Sequence, residues 1–226
     1  MPTSPTDDDF SRAASAPDQL AAARLCVLVT GGADAADFEQ LIGVLFAAGV
    51  PMLQLRDKHL ADGVLIDRAR RAVALARRHA PAAPPLVIVN DRVDVALAAA
   101  ADGVHLGASD LPVAEARRRL GPAALIGRTA HSLAEAREAV AAGADYLGVG
   151  PCFPSVTKAF AQHAPREFLA AAAALPMPVF AIGGIDGERV AELASLGLTR
   201  IAVAAAVTAA ADPGLAVRNI LAILDR

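Results

Sequence analysis

From Leu25 onward the chain repeats one unit: a short apolar or β-branched run, a polar loop, then an amphipathic stretch with helical spacing. The apolar runs fall at 25–29, 52–55, 86–89, 104–106, 125–127, 146–149, 179–182 and 201–204. Helices are expected over 38–48, 64–78, 93–101, 113–120, 133–142, 166–175, 188–196 and 215–224. Runs this short and this continuously apolar suit parallel strands covered by helices on their outer side. Gly49, Gly143 and Gly197 stand where helices should stop. Eight such units in about 200 residues predict a closed (β/α)8 barrel, the TIM barrel, at the small end of its size range. An open doubly wound sheet is the alternative, but no GxGxxG follows the first run, and Gly31-Gly32 alone does not supply one.

A chain of 226 residues suits one large domain. Residues 1–23 read as a flexible tail, helical only near 19–24, and 24–226 as a single barrel domain. The tail carries Asp7, Asp8 and Asp9 and lacks the basic start and apolar middle of a secretory signal. No apolar run reaches the ~18 residues of a membrane span. A net charge of −3 gives no electrostatic case for nucleic acid or a membrane surface. Cys26 and Cys152 form no ligand pattern, so a cytoplasmic location is expected. Self-association into a homo-oligomer is left open.

In such barrels the active site forms where the strands end. Here Gln54, Arg56 and Lys58 alternate onto one side of the second strand and its exit. Two cations and an amide directed inward suit a polyanion attached to a hydrogen-bonding ring. Asn90-Asp91 and Asp110 follow the next two strands, with no His or Cys in a ligand pattern. Two carboxylates of this kind favour a hard cation such as Mg²⁺, although each could instead cap the helix after it. The stretch at 150–158, GPCFPSVTK, sets the hydroxyls of Ser155 and Thr157 beside Lys158 in a proline-stiffened loop, an arrangement suited to grasping phosphate. Gly183-Gly184 would allow close backbone approach to a second phosphate, or would serve a tight turn. His105 and His131 lack a Ser or Cys partner, so no nucleophile–base pair stands out.

These stretches resemble the thiamine phosphate synthase family. LQLRDK at 53–58 resembles its VQLREK-type motif, and VNDR at 89–92 its NDR motif. GVHLG at 103–107 with DLP at 110–112 is similar to GVHLGQxDLP, and GRTAHS at 127–132 to GxSxHS. GPCFPSVTK resembles GPxFPTxTK, and AIGGI at 181–185 matches the family's AIGGI. The resemblance implies that Gln54, Arg56, Lys58, Asn90, Thr129 and Lys158 hold a pyrimidine pyrophosphate, with Arg56, Lys58, Thr129 and Lys158 acting in catalysis. It implies Mg²⁺ on Asp91 and Asp110. It also implies a thiazole phosphate on Ser155, Val156, Thr157, the Gly183-Gly184 pair and the backbone at Ala204-Ala205. Pyrophosphate would depart first, and the thiazole nitrogen would capture the pyrimidine methylene cation. Thr129 and Ser155 depart from the family pattern but keep a hydroxyl. Ala205 replaces a usual Ser, Ala159-Phe160 follows Lys158, and Gly31 stands where an acid is common. The rivals are a thiazole tautomerase using His105 or His131, a phosphate-binding isomerase, and a non-catalytic ligand-binding barrel.

Overall fold

The computed structural model describes residues 14–32, 34–154 and 163–225. Eight strands, β1 (Leu25–Val29), β2 (Met52–Leu55), β3 (Leu86–Asn90), β4 (Gly103–Leu106), β5 (Leu125–Ala130), β6 (Tyr146–Val149), β7 (Val179–Ile182) and β8 (Ile201–Val203), pair in parallel in chain order. β8 returns to β1 through Leu25↔Ile201, so the barrel is closed and the doubly wound alternative falls. The helices are α1 (Ala16–Ala22), α2 (Ala35–Ala47), α3 (Asp62–His79), α4 (Val93–Ala99), α5 (Val113–Leu120), α6 (Leu133–Ala141), α7 (Arg166–Ala173), α8 (Gly187–Ser195), α9 (Ala205–Thr208) and α10 (Pro213–Leu224). Gly49, Gly143 and Gly197 follow α2, α6 and α8 with φ of 95°, 85° and 85°, the left-handed exit that glycine makes cheap. Among the described residues, no helix is long and apolar enough to cross a membrane.

The two-residue period of each strand divides the core into two sets. Val27, Leu53, Val89, Ile126 and Leu147 pack outward with the helices, whereas Cys26, Met52, Ile88, Leu125, Tyr146 and Phe180 fill the barrel. Burying each large aliphatic side chain contributes ~1.5–3 kcal/mol, so the outer seam carries most of the hydrophobic stabilisation. Inside, Tyr146 meets Phe180 edge-on at 5.7 Å between ring centroids. A Cβ on the inward-facing Gly127 would lie 2.1 Å from Tyr146 Cζ and 2.5 Å from His105 Nδ1. Glycine there is the space that those two rings occupy.

The chain before β1 corrects the expectation of a tail through residue 23. Ser15 and Asp18 cap each other's backbone in a capping box, and α1 starts at Ala16. Leu20 and Ala23 are buried with the barrel's inner residues, so α1 closes the end where the strands begin. Arg200 Nη2 donates to Ala21 O at 2.6 Å and holds it there. The four-residue α9 was also unforeseen, because a piece that short has no sequence period to show.

Candidate active site

At the other end of the barrel, contacts run from one strand exit to the next. Lys58 Nζ, after β2, lies 3.1 Å from Asp91 Oδ2, after β3. Asp91 in turn stands beside Asp110, after β4, close enough for the Asp110 carboxyl to raise its pKa. His105 Nε2 is 2.9 Å from Thr129 Oγ1, linking β4 to β5, and His131 Nδ1 reaches Gly150 O at 2.7 Å, linking β5 to the exit of β6. Cys152 N and Phe153 N donate to Ile182 O and Gly183 O at 2.9 and 3.0 Å, joining the exits of β6 and β7. One mouth therefore gathers Gln54, Arg56, Lys58, Asn90, Asp91, Asp110, Thr129 and Gly183-Gly184, with Ala204-Ala205 at the end of β8.

The two acids are not helix caps. α4 begins after Arg92 and α5 after Pro112, and neither start receives a side-chain cap bond. Asp91 instead has a left-handed backbone, φ 62°, a strained choice for a residue with a Cβ, and its amide donates to His105 O at 2.8 Å. Burial and the adjoining Asp110 carboxyl push the Asp91 carboxyl above its ordinary pKa, against the pull of the Lys58 ammonium. Asp110 Oδ2 accepts Gly107 N at 2.6 Å. Two crowded carboxylates that draw in an ammonium have the donor chemistry for one hard divalent cation. Among the described residues no cluster of three or more His, Cys, Asp or Glu ligands exists. Such an ion would therefore keep most of its positions for water and substrate oxygens.

Asp57 explains how Arg56 and Lys58 come to one side. Its carboxylate turns the other way and accepts from Gly31 N at 3.1 Å, His59 N at 2.9 Å and Leu60 N at 3.1 Å, stitching the exits of β1 and β2 together. A Cβ on Gly31 would meet Leu60 Cδ1 at 2.3 Å, so a larger residue there would have to push the tip of the Leu60 side chain aside. The side-chain amides of Gln54 and Asn90 and the Arg56 guanidinium have no hydrogen-bond partner among the described residues. Gln54 is only 4 % exposed, on the same inward face as Met52. Arg92 serves a different end: its guanidinium binds Asp62 at 2.7 Å and Asp94 at 2.6 Å, bracing α3 and α4 on the surface.

Thr129 is held by a chain that the sequence did not reveal. Burial pushes the His105 imidazole down to about 4, so it is neutral at pH 7. Its Nδ1 lies 3.2 Å from the hydroxyl of the buried Tyr146. That hydroxyl has no other partner among the described residues and must donate, which makes Nδ1 the acceptor and Nε2–H the donor to Thr129. The Thr129 proton is then free to point into the mouth.

Gly183 and Gly184, with φ of 102° and 64°, owe their identity to packing as well as to any ligand. A Cβ on Gly184 would lie 2.3 Å from Pro154 O, and one on Gly183 would lie 2.8 Å from Pro151 Cα. Arg189 of α8 donates to Gly184 O and stacks 5.0 Å over Phe153, fastening the two loops. Ser155, Val156, Thr157 and Lys158 lie outside the described residues. A cavity of about 210 Å³ lined by Gly43, Phe46, Leu75, Arg78 and His79 sits between the C-terminal halves of α2 and α3, at the opposite end from this mouth.

A family model described as "Thiamine monophosphate synthase" matches residues 25–207. A thiamine-phosphate synthase of Anaeromyxobacter dehalogenans is 47% identical over 203 residues, spanning 88% of this chain and 86% of that protein. One from Synechococcus sp. is 43% identical over 209 residues, 91% of this chain; this chain spans only 58% of that relative's length. The solved thiamine phosphate pyrophosphorylase of Pyrococcus furiosus superposes with a TM-score of 0.77 at 33% identity, covering 92% of this chain and 97% of that one. A solved 3-hexulose-6-phosphate synthase, at 17% identity and a TM-score of 0.65, shares the fold. By sequence along nearly its whole described length, the chain belongs to the thiamine monophosphate synthase family.

Proposed function

We propose that the chain is a transferase joining a hydroxymethylpyrimidine pyrophosphate to a thiazole phosphate, giving thiamine phosphate and pyrophosphate. The observation that carries this reading is the crowded Asp91–Asp110 pair, with Lys58 drawn onto it, at the mouth of a barrel of this family. The pair fits Mg²⁺, since burial and the adjoining Asp110 carboxyl raise Asp91 and a divalent cation would relieve both. Bound Mg²⁺ supplies charge neutralisation on the departing pyrophosphate oxygens. Asp91 and Asp110 would hold it, and Lys58, no longer needed to balance Asp91, would serve the pyrophosphate with Arg56 and Lys158.

Gln54, Asn90 and the Thr129 hydroxyl would orient the pyrimidine. The bond from its methylene carbon to pyrophosphate oxygen breaks with the electron pair leaving on oxygen, and the thiazole nitrogen's lone pair forms the new carbon–nitrogen bond. No side chain need form a covalent intermediate. Ser155, Val156, Thr157, the backbone of Gly183-Gly184 and that of Ala204-Ala205 would hold the thiazole phosphate and keep water from the cation. A tautomerase acting through His105 is disfavoured, because both of its ring nitrogens are engaged and burial keeps it neutral. The reading takes the barrel, α1 included, as one catalytic unit with two small-molecule substrates as its partners. It places the protein in the cytoplasm, where buried, unpaired Cys26 and Cys152 stay reduced.

The purified chain, given both substrates and Mg²⁺, should form thiamine phosphate and pyrophosphate in equal amounts, and chelation should stop it. Metal-independent isomerisation of the thiazole alone, or saturable binding of both ligands without pyrophosphate release, would overturn the reading.

A further inference from the structure

Arg128 stands at an outward-facing position of β5, between buried Ile126 and Ala130 and paired in register with Leu106. An aliphatic residue would complete the outer seam there. The half-buried arginine instead sends its guanidinium to the exit of β4, where Nη1 donates to Gly107 O and Nη2 to Ala108 O at 3.3 Å. No carboxylate pairs with it among the described residues. Both of its bonds go to backbone carbonyls of one turn.

That turn is the one that aims Asp110. Gly107 O also accepts Asp110 N at 3.2 Å, and Gly107 N donates to Asp110 Oδ2 at 2.6 Å. A Cβ on Gly107 would come within 3.0 Å of the same oxygen. Asp110 lies outside any helix or strand, and α5 starts only after Pro112. Its carboxylate is therefore only as fixed as the 107–110 turn, and the guanidinium fork is the turn's outside anchor. Hydrogen bonds from a charged donor are about twice as strong as neutral ones, and a lysine cannot reproduce the planar fork.

We propose that Arg128 is a positioning residue for the proposed divalent-cation site, holding the 107–110 turn so that the Asp110 carboxylate stays beside Asp91. This rests on the metal reading above. The test is a titration of the substrate-free protein with Mn²⁺, read by electron paramagnetic resonance, on wild type, Arg128→Met, Arg128→Lys, Gly107→Ala and Asp110→Asn, each checked by thermal melting. Arg128→Met should weaken Mn²⁺ binding by about tenfold or more, the usual effect of losing a group that orients a metal ligand. Arg128→Lys should fall between it and wild type, and Gly107→Ala, which disturbs the turn from its other side, should weaken binding as well. The KM for thiazole phosphate should not move in Arg128→Met. Binding lost in Asp110→Asn but kept at wild-type strength in Arg128→Met would overturn the inference alone. Should Arg128→Met not fold, wild-type affinity in both Arg128→Lys and Gly107→Ala would do the same. A wild-type protein whose Mn²⁺ binding is absent, or indifferent to Asp110→Asn, would overturn the metal reading and this inference with it.

Discussion

Acid should loosen this barrel through a single interior histidine. His105 has an ordinary value of 6.5 and is held down to about 4 by burial inside the barrel. Above pH 6.5 neither the folded nor the unfolded chain protonates it, and it adds no pH dependence. Between 6.5 and about 4 only the unfolded chain takes up the proton, so stability falls as the pH falls. At about 1.4 kcal/mol per pH unit, the loss approaches ~3 kcal/mol near pH 4 and then levels off as the folded protein protonates too. Against a typical domain stability of roughly 5–15 kcal/mol, that is a large share. Urea unfolding of wild type and of His105→Gln should be compared from pH 7.5 to 4.5. Carboxylates titrate in both proteins, so the difference between the two curves isolates the imidazole. It should widen steadily below pH 6.5 in the variant's favour. Parallel curves over that range would refute the claim that a neutral imidazole is locked between Tyr146 and Thr129.

Three further outcomes follow from the site. Asp91→Asn and Asp110→Asn should each cut turnover by at least ~10²-fold in a pyrophosphate-release assay while leaving the melting temperature nearly unchanged, because neither carboxylate caps a helix. Gly127→Ala should cost about 1–3 kcal/mol or more in denaturant unfolding, since its Cβ would lie 2.1 Å from Tyr146 Cζ. Ala205→Ser should lower the KM for thiazole phosphate, by up to the ~1.5–3 kcal/mol of a hydrogen bond to a charged group, and leave the KM for the pyrimidine pyrophosphate alone.

The closed barrel was legible because eight apolar runs recur at regular intervals, and the eight helices α2–α8 and α10 because their apolar residues keep a helical period. The acids were legible as residues but not as roles: Asp91 and Asp110 each sit just before a helix, where sequence cannot separate a cap from a ligand. Backbone φ and the bare starts of α4 and α5 separate them. Gly183-Gly184 read as room for phosphate, yet the nearer neighbours are Pro151, Phe153 and Pro154 from a loop some thirty positions earlier, a tertiary contact with no local trace. Tyr146 was visible only as a strand residue, because its partner His105 is distant in sequence and the gap at Gly127 that admits both rings is unremarkable in a string of letters. Arg128 leaves a trace in the sequence, a cation where the two-residue alternation calls for an aliphatic. The roles of Ser155, Val156, Thr157 and Lys158 rest on motif alone.

The plug that α1 makes has a consequence for traffic. Leu20 and Ala23 stop the barrel where the strands begin, and Met52, Tyr146 and Phe180 fill it above them, so the site is a cup with one rim. In the proposed reaction, a pyrimidine seated at Gln54 and Thr129 lies within the strand ends, below a thiazole phosphate gripped by the loops. The lower guest would have to arrive first, since the upper one blocks its way in. The finished product spans both levels and leaves by the same rim. Arrival and departure would then run in a fixed queue, set by the shape of the vessel rather than by the relative strength with which each guest is held.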